Sequence, residues 1–468
     1  MPTGSPGANE PGDRGPAAGT RPAALLDHLF RREAGRIVAA LTRSLGSRHL
    51  DLAEESVQEA MIEALRLWPF HGVPERPGGW LYRVARNRAL DRLRRAKSLR
   101  DKEPEIRRSS VANEAPEETR SIGPDPVRTV RFPGELTDDQ LRLVFLCCHP
   151  ELPPDARVAL TLKLVCGFGV AEIARAFLDK EPTVAQRLVR AKRSIRERRL
   201  PFEVPTPAEL PERLDSVLEV LYLTFNEGYA ASAPGEGDEH VKSDVCAEAL
   251  RLTEELARLP DQILEQDRPP IHALAALLCF QASRIPARVD SPGSDGEIIL
   301  LPDQDRSLWD RTLIRRGFGH LERSAAGPRI TPYHLEAAIA SRHAAAPEWS
   351  ATDWPTILGL YDRLLALHPS PVVALNRAVA LAHTRGPEAG LDALSALEAD
   401  PEATRTLTAY HLLPATRGTL LLQAGRPAEA ARALRRALEL RPSPPERRLL
   451  ERRLGEAVAA ERTHGESR

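Results

Sequence analysis

At 468 residues the chain is long enough to bury several cores, and 42% apolar against 28% charged residues excludes a disordered or collagen-like polypeptide. Its 65 basic and 66 acidic residues give a net charge of -1, so total charge argues neither for nor against a polyanion partner and local clustering is what counts. Only 6 of the bases are Lys, which makes arginine abundance a weak signal by itself, and no apolar run reaches the roughly 20 residues of a membrane helix.

Residues 1–22 (MPTGSPGANEPGDRGPAAGTRP) lack an apolar core and read as a disordered tail, neither signal peptide nor anchor. From 23 to 100 the pattern is helical, with Pro and Gly confined to HGVPERPGG at 71–79. Within it, DLAEESVQEAMIEALRLW (51–68) carries Asp51, Glu54, Glu55, Glu59 and Glu63 before its first base, Arg66. Leu52, Ser56, Val57, Ala60 and Ala64 supply its inner side. The stretch GGWLYRVARNRALDRLRRAK (78–97) is its opposite: Arg83 to Arg100 holds eight bases and one acid, Asp91. Leu81, Ala85, Ala89, Leu93 and Ala96 form a seam at helical spacing, and Arg83, Asn87, Asp91 and Arg94 fall on another side. Guanidinium groups so placed suit phosphates, Asn suits a base edge, and Trp80 and Tyr82 suit stacking on bases of an opened duplex. A solvated basic helix with a core tryptophan has the same pattern. An acidic helix beside a basic one implies two partners, nucleic acid and a basic protein surface.

Residues 101–135 are rich in Pro, Ser and acids without periodicity, which predicts a flexible acidic linker. From 136 to 204 the pattern is helical again. Cys147-Cys148-His149 could bind metal or be buried thiols; with five cysteines and no Cys-x-x-Cys spacing, buried thiols in a reducing cytoplasm fit better. VAEIARAF (170–177), a turn at LDKE, and a basic helix from Thr183 to about Arg199 follow the helix-turn-helix plan, with Pro182 suited to a first helical turn. The second helix of that plan would aim Thr183, Gln186, Arg187 and Arg190 at base edges or phosphates.

From 205 to 345 helices alternate with Pro/Gly loops, and EIILL (297–301) is the one short strand candidate. The glutamate of NEGY (226–229) has no His, Cys or second acid beside it; Asn226 and Gly228 are predicted to end a helix, with Tyr229 packing behind. In 346–468 two segments, starting at Arg377 and Arg417, each read as helix, Gly/Pro turn, helix. This resembles a tetratricopeptide repeat of about 34 residues, with a longer connection between units. Such a stack would be a passive cap or would offer a groove to a protein or signal partner. The chain as a whole reads as all-α, with no metal set, nucleophile triad or phosphate loop, hence no enzyme and no cofactor.

The order of acidic helix, WLYRVARNRALDRLRR, acidic linker and EIARAF…TVAQRLVRAKRSI resembles bacterial RNA polymerase sigma factors of the extracytoplasmic-function class, over roughly residues 23–200. LYLTFNEGYAAS (221–232), LLPDQDRSLWD and TPYHLEAAIAS resemble the subgroup with a long tetratricopeptide-like extension. The resemblance implies a region-two domain (23–100), linker (101–135), region-four domain (136–204), helical extension (205–345) and repeats (346–468). It implies that Asp51, Glu54, Glu55, Gln58 and Glu59 meet the clamp helices of the polymerase core's largest subunit, region four meeting the flap. Trp80, Arg83, Arg86, Asn87, Arg88, Asp91, Arg92, Arg94 and Arg95 would engage and melt the minus-10 promoter element, and Thr183, Gln186, Arg187 and Arg190 would read the minus-35 element. Glu114, Glu117, Glu118 and Asp125 of the linker would run through polymerase channels. The family's usual glycine-bearing turn is here Leu178-Asp179-Lys180-Glu181-Pro182. Two other readings remain: a helix-turn-helix regulator acting without polymerase, and a repeat-based scaffold.

Overall fold

The computed structural model describes residues 22–106, 138–177, 179–206, 208–230, 239–259, 268–288, 298–408 and 410–466. The tail (1–21), most of the acidic linker with its four named acids, and Leu178 of the turn lie outside them. The described chain is helical, as the periodicity predicts, and divides into two compact units, one made of the first three helices with residues 164–168 and one made of the remaining helices.

The first unit comprises α1 (Pro22–Leu45), α2 (Leu50–His71) and α3 (Pro77–Ile106). The three helices pack on one another, and Ile37, Val38 and Leu41 of α1, Leu50, Ala53, Val57, Ala60 and Ala64 of α2, and Leu81, Ala85 and Ala89 of α3 are all buried. The alanines at three- and four-residue spacing let α2 and α3 approach closely while their long polar side chains splay outward. Gly72, at φ 78°, ends α2, and its N–H bonds to the Trp68 carbonyl at 2.9 Å.

The second unit opens with α4 (Asp138–Cys147), α5 (Pro154–Leu160), α6 (Val170–Ala176) and α7 (Glu181–Arg198). Cys147 and Cys148 are buried thiols, and burial pushes Cys148 up to about 12. Next come α8 (Leu210–Ala230), α9 (Glu239–Ala257), α10 (Arg268–Ala282), α11 (Arg311–Ser324) and α12 (Pro332–Ala345). Every residue from Pro269 to Phe280 of α10 is buried, as befits a helix apolar on all sides with α9, α11 and α12 around it. Of the strand predicted at 297–301, the described residues 298–301 form none: Ile298 makes a single bridge and a 3-10 turn begins at Leu301. Nor does a helix end at Asn226–Gly228. Instead α8 runs on to Ala230, because Arg288 donates to the Tyr229 carbonyl and Arg284 to the Tyr229 hydroxyl, both at 2.7 Å. Tyr229 stacks on Phe225 at 5.7 Å, and Glu227 is exposed.

The C-terminal part is a run of consecutive helices, α13 (Trp354–Leu367), α14 (Pro371–Arg385), α15 (Pro387–Ala399), α16 (Pro401–Leu407), α17 (Leu412–Gln423), α18 (Pro427–Glu439) and α19 (Pro444–Glu466). The similar segments at Arg377 and Arg417 are the pairs α14–α15 and α17–α18. The inserted short helix α16, started by Asp400 accepting from the Glu402 N–H at 3.0 Å, occupies the longer connection between them. At Gly418 a Cβ would lie 2.7 Å from Leu434 Cγ, so glycine is what lets α17 and α18 touch.

Candidate nucleic-acid interface

In the first unit Leu81, Ala85 and Ala89 of the α3 seam are buried, Leu93 and Ala96 are half-buried, and the other face is charged, but the charged face is not all free. Arg88 Nη1 donates to Glu59 Oε2 at 2.9 Å and its other nitrogen to Glu63, while Arg92 spans Glu55 and Glu59. The bonds to Glu63 and Glu59 hold the Arg88 guanidinium above its usual range. Thus Arg88 and Arg92, expected on DNA, and Glu55 and Glu59, expected on a protein, hold one another across α2 and α3. Arg94 lies 3.5 Å from Asp91. Arg83, Asn87, Arg94 and Arg95 are exposed, and Arg86 is half-buried. Trp80 is half-buried, its ring edge-on to the buried Trp68 at 5.6 Å, which fixes the ring at the start of the basic face.

On α2, Glu54 is buried and accepts from Gln58 at 3.0 Å, Asp51 is half-buried, and Gln58 and Glu55 are exposed. The sequence reading missed an apolar strip on the same helix: Ile62, Leu65 and Phe70 are 49%, 53% and 84% exposed. A signal for it existed, since Ile62 and Leu65 lie off the side defined by Ala53, Val57, Ala60 and Ala64.

In the second unit, Val184, Leu188, Ala191 and Ile195 bury one side of α7. Thr183, Gln186 and Arg190 are exposed on its other side, together with Val189, which the sequence reading did not single out. Arg187 is half-buried and braces the turn: its Nε lies 2.8 Å from Asp155 and its Nη2 3.1 Å from Asp179. Two carboxylates thus hold the guanidinium that was expected to face bases.

Helix α8 packs on α4 and α5. The buried Arg157 of α5 donates to the Leu152 carbonyl at 2.9 Å, to Ser216 Oγ at 2.6 Å and to Glu219 at 2.9 Å. Ser216 in turn donates to the Cys148 carbonyl, and Arg213 to the Phe145 carbonyl at 2.8 Å. The α8 side chains therefore satisfy carbonyls that α4 leaves open at its C-terminus.

Among the described residues no group of three or more His, Cys, Asp or Glu could hold a metal ion, and no helix is long and apolar enough to cross a membrane.

Three family models match this chain: Sigma-70 region 2 over residues 29–99, Sigma-70 region 4 over 142–195, and a family of unknown function, DUF6596, over 213–325. The uncharacterized protein R00370 of Rhizobium meliloti is 40% identical over 410 residues, 86% of this chain and 90% of that protein. The probable ECF RNA polymerase sigma factor SigI of Mycobacterium tuberculosis is 28% identical over 183 residues, 37% of this chain and 59% of its own length. The ECF RNA polymerase sigma factor SigM of the same species is 29% identical over 167 residues, 36% of this chain and 73% of its own. No solved structure matches.

Proposed function

The chain belongs to the same family as R00370 and carries sigma-70 region 2 and region 4 domains, and on that footing we propose that it is a sigma factor of the extracytoplasmic-function type. Sigma domains are non-enzymatic and indicate promoter recognition with RNA polymerase. In our reading the protein binds core polymerase, recognises the minus-10 and minus-35 elements, and stabilises the melted strand without covalent chemistry.

The observation that carries this reading is a pair of exposed polar faces, one in each sigma domain. On α3, Arg83, Asn87, Arg94 and Arg95 are exposed beside Trp80. On α7, Thr183, Gln186 and Arg190 are exposed at the start of the second helix of a helix-turn-helix. The first set suits phosphates and unstacked bases, the second a major groove. Arg86 and Asp91 flank the first set. Arg88, Arg92 and Arg187 act chiefly by holding these surfaces in shape, and reach phosphates only by exchanging a carboxylate for one.

Core polymerase is met by α2, where the exposed Ile62, Leu65 and Phe70 supply apolar area beside Glu55, Gln58 and the outer edge of Asp51. The helical extension sets activity through α8, which is bonded to region 4. Run-off transcription by Arg94→Glu plus Arg95→Glu tests the assignment: it should lose promoter opening and keep core binding, and unchanged transcripts would remove α3 from the mechanism. A regulator acting without polymerase predicts instead that core polymerase is not captured.

A further inference from the structure

Outside the sigma domains, a basic concavity lies in the extension, where α9, α10 and α11 meet. Two adjoining hollows of about 550 Å³ each share His272 and Arg323. Each volume is in the range that takes a small molecule. Arg268 lines one hollow; Arg258, Arg315, Arg316 and, as the one carboxylate among the described lining residues, Glu254 line the other.

Glu254 is already neutralised from within. Arg316 Nε donates to it at 2.9 Å, Arg258 stands at 3.5 Å and His320 Nε2 at 3.6 Å. Burial pushes this carboxyl up, and the neighbouring His320 and Arg316 override it, leaving Glu254 at about 2. His272 meets His320 Nδ1 to Nδ1 at 2.9 Å, and burial, then His320 and Arg323, bring it down to about 4. At neutral pH His272 is therefore an uncharged hydrogen-bonding ring in the wall. Arg315 and Arg323 differ from Arg258 and Arg316, which are likewise exposed but paired with Glu254: among the described residues neither Arg315 nor Arg323 has a carboxylate partner.

Arg315, Gly319 and Arg323 follow one another at four-residue spacing along one side of α11. A Cβ added at Gly319 would meet nothing within 4 Å, so packing does not require glycine there. Glycine inside a helix costs about 1 kcal/mol against alanine, and what it provides here is an open floor between two guanidinium groups. Eight residues of helix set the bases of those side chains about 12 Å apart, so a ligand with two separated oxyanion groups can engage both at once.

We propose that this cleft binds a small molecule bearing at least two separated oxyanion groups, phosphate or carboxylate, gripped by Arg315 and Arg323 across Gly319 with His272 in the wall. Guanidinium forks match both oxyanion chemistries. The cleft borders region 4, because α9, which carries Glu254 and ends just before Arg258, packs on α8 and also against α6. That proximity gives the ligand a route to the DNA-reading domain.

Calorimetric titration of the full-length chain tests the proposal, with fructose 1,6-bisphosphate as phosphate probe, suberate as carboxylate probe and inorganic phosphate as comparison. Saturable binding of either two-headed probe, tighter than inorganic phosphate, is expected, and which one binds identifies the oxyanion. Arg315→Ala with Arg323→Ala should weaken it by about tenfold or more, as loss of charge-assisted bonds does. Gly319→Leu should abolish it by filling the floor, without lowering the melting temperature. Absence of saturable binding by both probes, equal binding of inorganic phosphate, or wild-type affinity in the double variant would each overturn the proposal.

Discussion

Arg88 of α3 donates to Glu59 of α2 at 2.9 Å, and through that bond the basic and acidic faces of the first unit become partners of each other. Arg92 extends the ladder to Glu55. The groups are about a third exposed (38% for Arg88, 32% for Glu59), so water screens the pair and its coupling is modest. A double-mutant cycle of Arg88→Ala and Glu59→Ala should give a coupling of about 0.5–1 kcal/mol. Hydrogen exchange of the α2 and α3 amides measures it, and additive single effects would mean that the ladder contributes nothing.

The same ladder sorts the arginines of α3. Arg83→Gln or Arg95→Gln should weaken single-stranded minus-10 DNA binding and lower the salt dependence by about one counterion each. Arg88→Gln and Arg92→Gln should change the salt slope less and the melting temperature more. Equal slopes for all four variants would show that the carboxylates yield their arginines to DNA freely.

Much of this was legible in the sequence, and what was not has physical reasons. The seam Leu81-Ala85-Ala89 and the buried side Val184-Leu188-Ala191-Ile195 follow directly from helical spacing. Periodicity also shows which residues leave the core, but not which neighbours they then meet. That is why Arg88, Arg92 and Arg187, faultless as phosphate ligands on a helical wheel, are found on carboxylates supplied by other elements. The end expected at Asn226–Gly228 failed for the same kind of reason: Arg284 and Arg288, distant in sequence, bond Tyr229 within a helix that runs to Ala230. The longer repeat connection was visible, but not the helix α16 within it.

Arg157 is the buried bond donor between region 4 and α8. Arg157→Ala should destabilise the second unit by about 2–4 kcal/mol, because Ser216 and the Leu152 carbonyl lose their partner in a dry site. Arg157→Lys should recover only part, since an ammonium cannot serve three acceptors with a planar fork. A chain cut near residue 204 removes Arg213 and Ser216 together and should be less stable still. Urea unfolding decides; wild-type stability of Arg157→Ala would show α8 to be a passive neighbour.

Stability should fall as pH rises in the acid-to-neutral range because of Glu336, whose carboxyl accepts from the Tyr222 hydroxyl at 3.0 Å. Burial raises its pKa from 4.5 to about 7. The folded chain thus holds this proton more tightly than the unfolded chain, and the stabilisation, complete below about 4.5, is lost as pH climbs through about 7. Glu336→Gln should raise the melting temperature at pH above that window and remove its share of the slope. Identical pH profiles for variant and wild type would refute the assignment.

The most direct test of sigma function is transcription of fragmented genomic DNA from the source bacterium by its core polymerase, with and without the full-length protein, followed by mapping of the transcript starts. The account predicts starts that appear only with the protein, lie at a fixed distance downstream of a shared two-element sequence, and disappear with Arg94→Glu plus Arg95→Glu. A protein that binds duplex DNA yet yields no new starts and captures no core polymerase would contradict it.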